Sequence, residues 1–418
     1  MIQEVACIAI IVILIMIAMI KLRYPFWNRQ PVYHSYDLWN KLYSQPYSPY
    51  QNGPVKTKYY DNLNVLTLSY SDMTNKQKKD LTNLLQCYYI PSDSILNTIQ
   101  RKDLGVYFGG VNEPAYISFY TQDELANKDG NFSTTKLPVA CITSRFAQLL
   151  VRPTMTEEKY TCLPIYFIDH VCVDRDHENQ RVDISRKLLQ THEYNQRINN
   201  VSIYISLIKS ETNLFDGVVP LFTYTMSTFA LRPQTVQALP PHFQIVRIYK
   251  ENMDVLTDFL HMQKNLTTGS TFPFDLFLVS DLDTIIAAIQ AQLLYACCIQ
   301  RSNIVYGIYF IKNARLRYEE ADGNTLHCIG SVMNYVISKE DYGKLFYLGF
   351  LHSLGLILRE KPSFNTILFD ELGHNELLLQ FWRERHTELE KCQTAYYSYN
   401  WIVPKSPFLT DRCAVILI

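Results

Sequence analysis

Nowhere in the chain do two cysteines stand at CxxC spacing, and none of the ten keeps the cysteine/histidine spacing of a metal site. That argues against zinc, and no metal is expected. The cysteines are scattered, many in apolar surroundings, which fits reduced thiols acting as small core residues better than a disulfide framework. Charge of one sign is also lacking. Lysine and arginine total 39 against 40 acidic residues, a net charge of −1, so no basic field points to nucleic acid. Glycine is scarce at 14 residues of 418, far below the roughly 7% usual in proteins. No serine or cysteine sits in a nucleophile elbow for a histidine to serve, so a conventional triad has no support. The sequons at Asn131, Asn200 and Asn265 carry little weight, because such triplets arise by chance.

What is present starts with an apolar run of sixteen residues from Val5 to Ile20, between Glu4 and Lys21. As a helix it covers roughly 24 Å, slightly short of a ~30 Å hydrocarbon core, and spans one only if Leu22 joins and flanking side chains snorkel. The following Lys21 and Arg23 favour a cytosolic side for the rest. The expectation is a single-pass membrane anchor over residues 1–23, with an extended Tyr- and Pro-rich arm over 24–60 behind it.

The centre of the chain is a strand, a polar loop and a helix. Phe167–Val173 is rich in β-formers, and after the loop Val182, Ile184, Leu188 and Leu189 recur at helical spacing. A loop opening a helix presents free N–H groups and a positive dipole end, a place for a phosphate. Asp80–Tyr89 reads as a helix, and Gly105–Tyr120 and Pro138–Val151 as hairpin strands. From about residue 231 the strand-and-helix rhythm begins again: strands at His242–Tyr249, Phe274–Val279 and Ile304–Ile311, helices at Asn252–Gln263, Ile285–Leu294 and Leu345–Leu358. Ala395–Trp401 alternates like a strand. The last five residues, Ala414–Ile418, are all apolar, as in a buried strand that would carry the terminal carboxylate inward.

Several of these segments, taken in order, resemble the N-myristoyltransferase family. Tyr24-Pro-Phe26-Trp27, with Gln30-Pro31-Val32, resembles its Tyr-x-Phe-Trp-x-x-Gln-Pro-Val arm; Leu84-Leu85 with Tyr88 or Tyr89 resembles its Leu-Leu-x-x-x-Tyr helix. Asp169-His-Val-Cys-Val173 stands where the family has Asn-Phe-Leu-Cys-Val. Gly217-Val-Val with Thr223 and Pro233, then Ser331 with Asn334, then Phe364, Phe369-Asp370 and Asn375, keep further spacings, and Tyr396-Tyr-Ser-Tyr-Asn-Trp401 is near the family's Tyr-Tyr-x-Tyr-Asn-Trp. None is specific alone; their colinearity over residues 24–418 carries the resemblance.

The resemblance implies an α/β fold of two pseudo-symmetric GNAT-like acyltransferase halves, residues 61–230 binding acyl-CoA and 231–418 binding peptide. It implies transfer of a myristoyl group from myristoyl-CoA to the N-terminal glycine of a protein or peptide. The oxyanion donors would be the backbone N–H groups of His170 and Val171, and the Ile418 carboxylate the base. Tyr24, Phe26, Trp27, Arg175, Asn179, Gln180 and Arg181 would meet the co-substrate, and Thr223, Ser331, Asn334, Tyr397 and Asn400 the acceptor. The chain also departs from the family. The phosphate loop Arg-Ser-Lys-Arg is Glu178-Asn-Gln-Arg181 here, and the Tyr-Trp-His set is replaced by Met226-Ser-Thr228. A glycine-rich loop gives way to Leu389–Cys392, an acidic segment to Ile90–Asp93, and the tail is two residues too long. An inactive member that binds acyl groups or peptides on a membrane is the alternative. A third reading is an acetyltransferase of the wider superfamily.

Overall fold

A computed structural model describes residues 2–42, 45–51, 53–90, 94–110, 112–128, 131–152, 160–211, 213–232, 235–264, 274–319, 323–334 and 342–418. Pro233, Asn265 and the segment 91–93 lie outside them.

The apolar run forms α1 (Ile2–Arg23), a helix whose side chains from Val5 to Leu22 stay mostly exposed. The expected membrane anchor and single-pass localisation are corrected here: among the described residues no helix is long and apolar enough to cross a membrane. The physical reason is length, since Glu4 and Lys21 confine the uncharged part to roughly 24 Å against a ~30 Å core.

After the arm, the first series is β1 (Val65–Ser69), α2 (Asn75–Tyr88), β2 (Ile95–Asn97), α3 (Arg101–Phe108), β3 (Tyr116–Lys128), β4 (Asn131–Val151), β5 (Thr161–Val173), α4 (Arg181–Asn199), β6 (Ser206–Ser210) and β7 (Phe222–Ala230). The second is β8 (Phe243–Ile248), α5 (Asp254–Lys264), β9 (Leu276–Ser280), α6 (Leu282–Gln290), β10 (Leu294–Arg301), β11 (Ile304–Tyr318), β12 (Gly323–Met333), α7 (Tyr342–Glu360), β13 (Phe364–Asp370), α8 (Asn375–Arg383), β14 (Glu388–Tyr399) and β15 (Cys413–Ile416). Two expectations change. Gly105–Phe108 is helical rather than strand, because Asp103 Oδ2 accepts from the Gln100 N–H at 2.8 Å and starts a helix there. Leu294 opens a strand rather than closing a helix, and its apolar run is buried on both faces, which periodicity does not separate from a buried helix.

The strands order themselves twice in the same way. β1-β3-β4-β5 are antiparallel neighbours and β5-β6 are parallel; β8-β10-β11-β12 are antiparallel neighbours and β12-β13 are parallel. Each parallel pair is joined through a long helix, α4 or α7, as a parallel connection requires. The two series also trade strands. β7 pairs with β13 and β14 with β6, the two joining each other, while β2 adds to β11 and β9 to β4. α7 and α8 cover the second series over Phe346, Phe350, Phe369 and Trp382, all fully buried; truncating one of these phenylalanines to alanine would cost about 3–5 kcal/mol.

Candidate active site

The site begins where two parallel strands part. β5 and β6 pair at Tyr166, Phe167 and Ile168, and their ladder stops there, although β5 stays paired with β4 as far as Val173. Along β4 the register jumps from Thr143–His170 to Ser144–Ile168, so Asp169 is an extra residue in β5, a bulge. Beyond Ile168 that edge of β5 faces a cavity of about 950 Å³ instead of a neighbouring strand. His170 and Val171 line it, together with Ile208, Lys209 and Glu211 of the separated β6 region. A strand edge without its neighbour carries N–H groups with nothing opposite, the preorganised donors an oxyanion needs.

The far end of the chain reaches the same cavity. β15 runs parallel to β9, the Ile418 N–H donates to Ser280 Oγ at 3.0 Å, and Ile418 is 1% exposed while lining the cavity. Gly330 on β12 makes this passage possible: a Cβ there would stand 2.8 Å from the Val415 carbonyl oxygen. The arm closes another side. Trp27 Nε1 donates to the Leu214 carbonyl at 2.7 Å and stacks on Phe215, and Phe26 packs edge-on against Trp27 and Tyr59. Tyr24 fits against Gly217, where φ is +83° and a Cβ would lie 2.6 Å from its ring.

Charges concentrate on the cavity wall. Arg145 reaches Asp169 at 2.8 Å, and His170 Nδ1 lies 2.6 Å from the other Asp169 oxygen and 3.0 Å from Thr143 Oγ1. Burial would raise Asp169, but Arg145 and His170 outweigh it and hold the carboxyl well below its ordinary range. Across the cavity His327 Nε2 meets Asp370 at 2.9 Å; burial lowers His327 below its usual value, while His327 and the nearby lysines keep Asp370 ionised against its own burial. Burial, Lys209 and Arg145 together push Lys312 down to about 8.

The residues expected at the site are only partly brought together. His170, Val171, Ile418, Tyr24, Phe26, Trp27 and Arg181 line the one cavity. Arg175, Asn179 and Gln180 are exposed in the turn before α4, off the cavity wall, and Arg181 is paired with Glu178 at 3.2 Å. Thr223 is exposed on β7. Ser331 donates to Asn375 Oδ1 at 2.8 Å, and Asn334 donates to the Val305 carbonyl. Tyr397 stacks on Phe215 at 4.1 Å, and Asn400, at φ +60°, binds the Tyr50 and Tyr204 carbonyls. None of these five is on the cavity wall. Sequence reading missed Arg145, Lys209, Lys312 and His327. β11 was expected to end at Ile311, one residue before Lys312; a strand continued to Tyr318 would have put Lys312, Ala314 and Leu316 on one face.

A parallel strand pair that opens onto a cavity, within a duplicated series of strands, is an arrangement found in solved acyltransferase structures. The fold of this chain is similar to that of N-myristoyltransferases. Over 94% of this chain it matches a Saccharomyces cerevisiae N-myristoyltransferase with bound myristoyl-CoA at a TM-score of 0.66 and 12% identity, covering 94% of that chain. A second structure of the yeast enzyme with myristoyl-CoA matches at 0.66 and 14%, over 94% of this chain and 99% of that one. A third, with myristoyl-CoA and inhibitors, matches at 0.63 and 14%, over 96% and 98%. No family model and no curated protein sequence matches. The fold is therefore shared while the sequence has diverged.

Proposed function

We propose that this protein is an acyltransferase that moves a myristoyl group from myristoyl-CoA to the α-amine of an N-terminal glycine. The observation that carries the reading is the buried Ile418 terminus lining the same cavity as His170 and Val171 where β5 and β6 part. In this reading residues 61–230 hold the acyl-CoA under the arm, and residues 231–418 hold the acceptor. The main-chain N–H groups of His170 and Val171 receive the negative charge that develops on the thioester oxygen. The Ile418 carboxylate takes the proton that the glycine ammonium loses, and the amine attacks as the thiolate leaves. Tyr24, Phe26, Trp27 and Arg181 belong to the co-substrate. Arg175, Asn179 and Gln180, and the expected acceptor residues Thr223, Ser331, Asn334, Tyr397 and Asn400, stand off the cavity wall, so this reading gives them no contact with the reacting groups.

One observation favours the inactive alternative, an acyl- or peptide-binding relative. The arginine left in the phosphate loop is already paired with Glu178. The test is acyl transfer from myristoyl-CoA to a glycine-initiated peptide, with the chain as it is and with a few residues added after Ile418. Transfer by the first alone is expected. Equal transfer by both removes Ile418 as the base, and myristoyl-CoA binding without transfer by either favours the inactive reading.

A further inference from the structure

Most cations on the cavity wall already have a carboxylate. Arg23 lies 3.3 Å from Asp216, Arg145 2.8 Å from Asp169, Arg181 3.2 Å from Glu178, Lys209 3.4 Å from Glu211 and Arg315 2.8 Å from Asp103. Among the described residues the Lys312 side chain has no hydrogen bond and no carboxylate at ion-pair distance, and it stands on the part of the wall that the second strand series contributes. The carboxylates nearest in effect, Asp169 and Asp370, are engaged by Arg145 and His327. Holding an ammonium there is costly, since burial, Lys209 and Arg145 all disfavour its charge. A methionine would fill similar space without the charge. A cation kept in a binding cavity at such cost is explained by a ligand that brings the missing counter-charge.

We propose that Lys312 is the anchor for a carboxylate of the acceptor, so that the cavity selects acidic peptides. This rests on the acyltransferase reading for the identity of the acceptor, but its test does not require turnover. The placement on β11 matters, because β11 belongs to the second strand series while the parted edge of β5 belongs to the first. Val171, Lys312 and His327 line the same cavity, with Lys312 and His327 register partners, so a peptide whose amine reaches Val171 has its next side chains within a cavity that holds Lys312.

Fluorescence anisotropy on the full chain, with labelled glycine-initiated peptides that differ only in carrying Asp/Glu, Asn/Gln or Lys residues behind the glycine, reads the preference directly. The acidic peptide is expected to bind about tenfold tighter than its amide counterpart, a difference of about 1.4 kcal/mol. K312M should erase the difference and K312E should invert it toward the basic peptide; thermal melts confirm that each variant is folded, and K312M suffices if K312E is not. Where transfer is measurable, K312M should raise KM for the acidic peptide and leave kcat unchanged. Equal affinity of the three peptides, no binding of any, or a preference that survives K312M overturns the anchor. Acidic preference without transfer removes the acyltransferase reading and keeps the anchor; transfer without preference does the reverse.

Discussion

At the scale of single residues, the cavity depends on charges that are not free to act alone. Arg145 and Asp169 are 7% and 13% exposed at their side chains, so removing Arg145 leaves Asp169 buried with His170 as its remaining ion-pair contact. R145M is expected to cost about 3–5 kcal/mol in urea unfolding, whereas a surface pair would cost under about 1 kcal/mol. Because Asp169 sits below its unfolded value, its contribution is present above about pH 4 and is lost as acid takes the pH lower. The acid-unfolding midpoint of R145M should therefore move to higher pH. Glu193 behaves oppositely. It is 1% exposed, neither carboxyl oxygen has a hydrogen bond of good geometry, and burial, partly offset by Arg197 and Ser206, raises it to about 7. A raised carboxyl favours the fold below the unfolded value near 4.5 and loses that contribution as pH climbs through about 7. E193Q should flatten stability between pH 5 and 8 and be the more stable protein at pH 8, by up to about 3 kcal/mol, measured as urea midpoints.

At the scale of elements, the C-terminal strand is the piece whose position matters most. β15 has β9 as its hydrogen-bonded partner and crosses β12 at Gly330, with no room for a methyl group beneath Val415. G330A is expected to cost about 1–3 kcal/mol and to lower acyl transfer by displacing Ile418, without changing affinity for acyl-CoA under the arm; melting temperature and binding titration separate the two. Much at this scale was legible. The apolar tail announced a buried strand, and the run at Phe167–Val173 followed by 3.6-residue spacing announced β5, its turn and α4. The short α3 was not legible, since one Asp103–Gln100 capping bond outweighs a β-rich composition that includes Val106 and Tyr107. The end of β11 was missed for a related reason. Its later residues alternate charged and apolar side chains, and only the cavity face explains a lysine there.

At the scale of the molecule, the traded strands decide how the chain folds. β7 follows the first series but has β13 as a ladder partner, and β14 follows β13 but joins β6. Residues 61–230 expressed alone would leave β7 without either of its partners, β13 and β14, and β4 without β9, so this piece is expected to aggregate. Co-expression with residues 231–418 should recover a soluble complex, and the intact chain should unfold in one transition by circular dichroism and by fluorescence. Two independent transitions would contradict this.

The order of elements, the repeated rhythm and the apolar terminus were determined by local patterns in the sequence, because periodicity, turn residues and hydrophobic runs act over a few neighbours. The resemblance in residues 24–418 pointed to the same fold at 12–14% identity to the yeast structures. Only the tertiary structure decided which charges share the cavity. Arg145, Lys209, Lys312 and His327 lie on four different strands, and registers between distant segments bring them together. The case against a membrane-crossing α1 is a matter of sequence length, since the acidic and basic flanks leave too short an apolar stretch, and among the described residues no helix is long and apolar enough to cross.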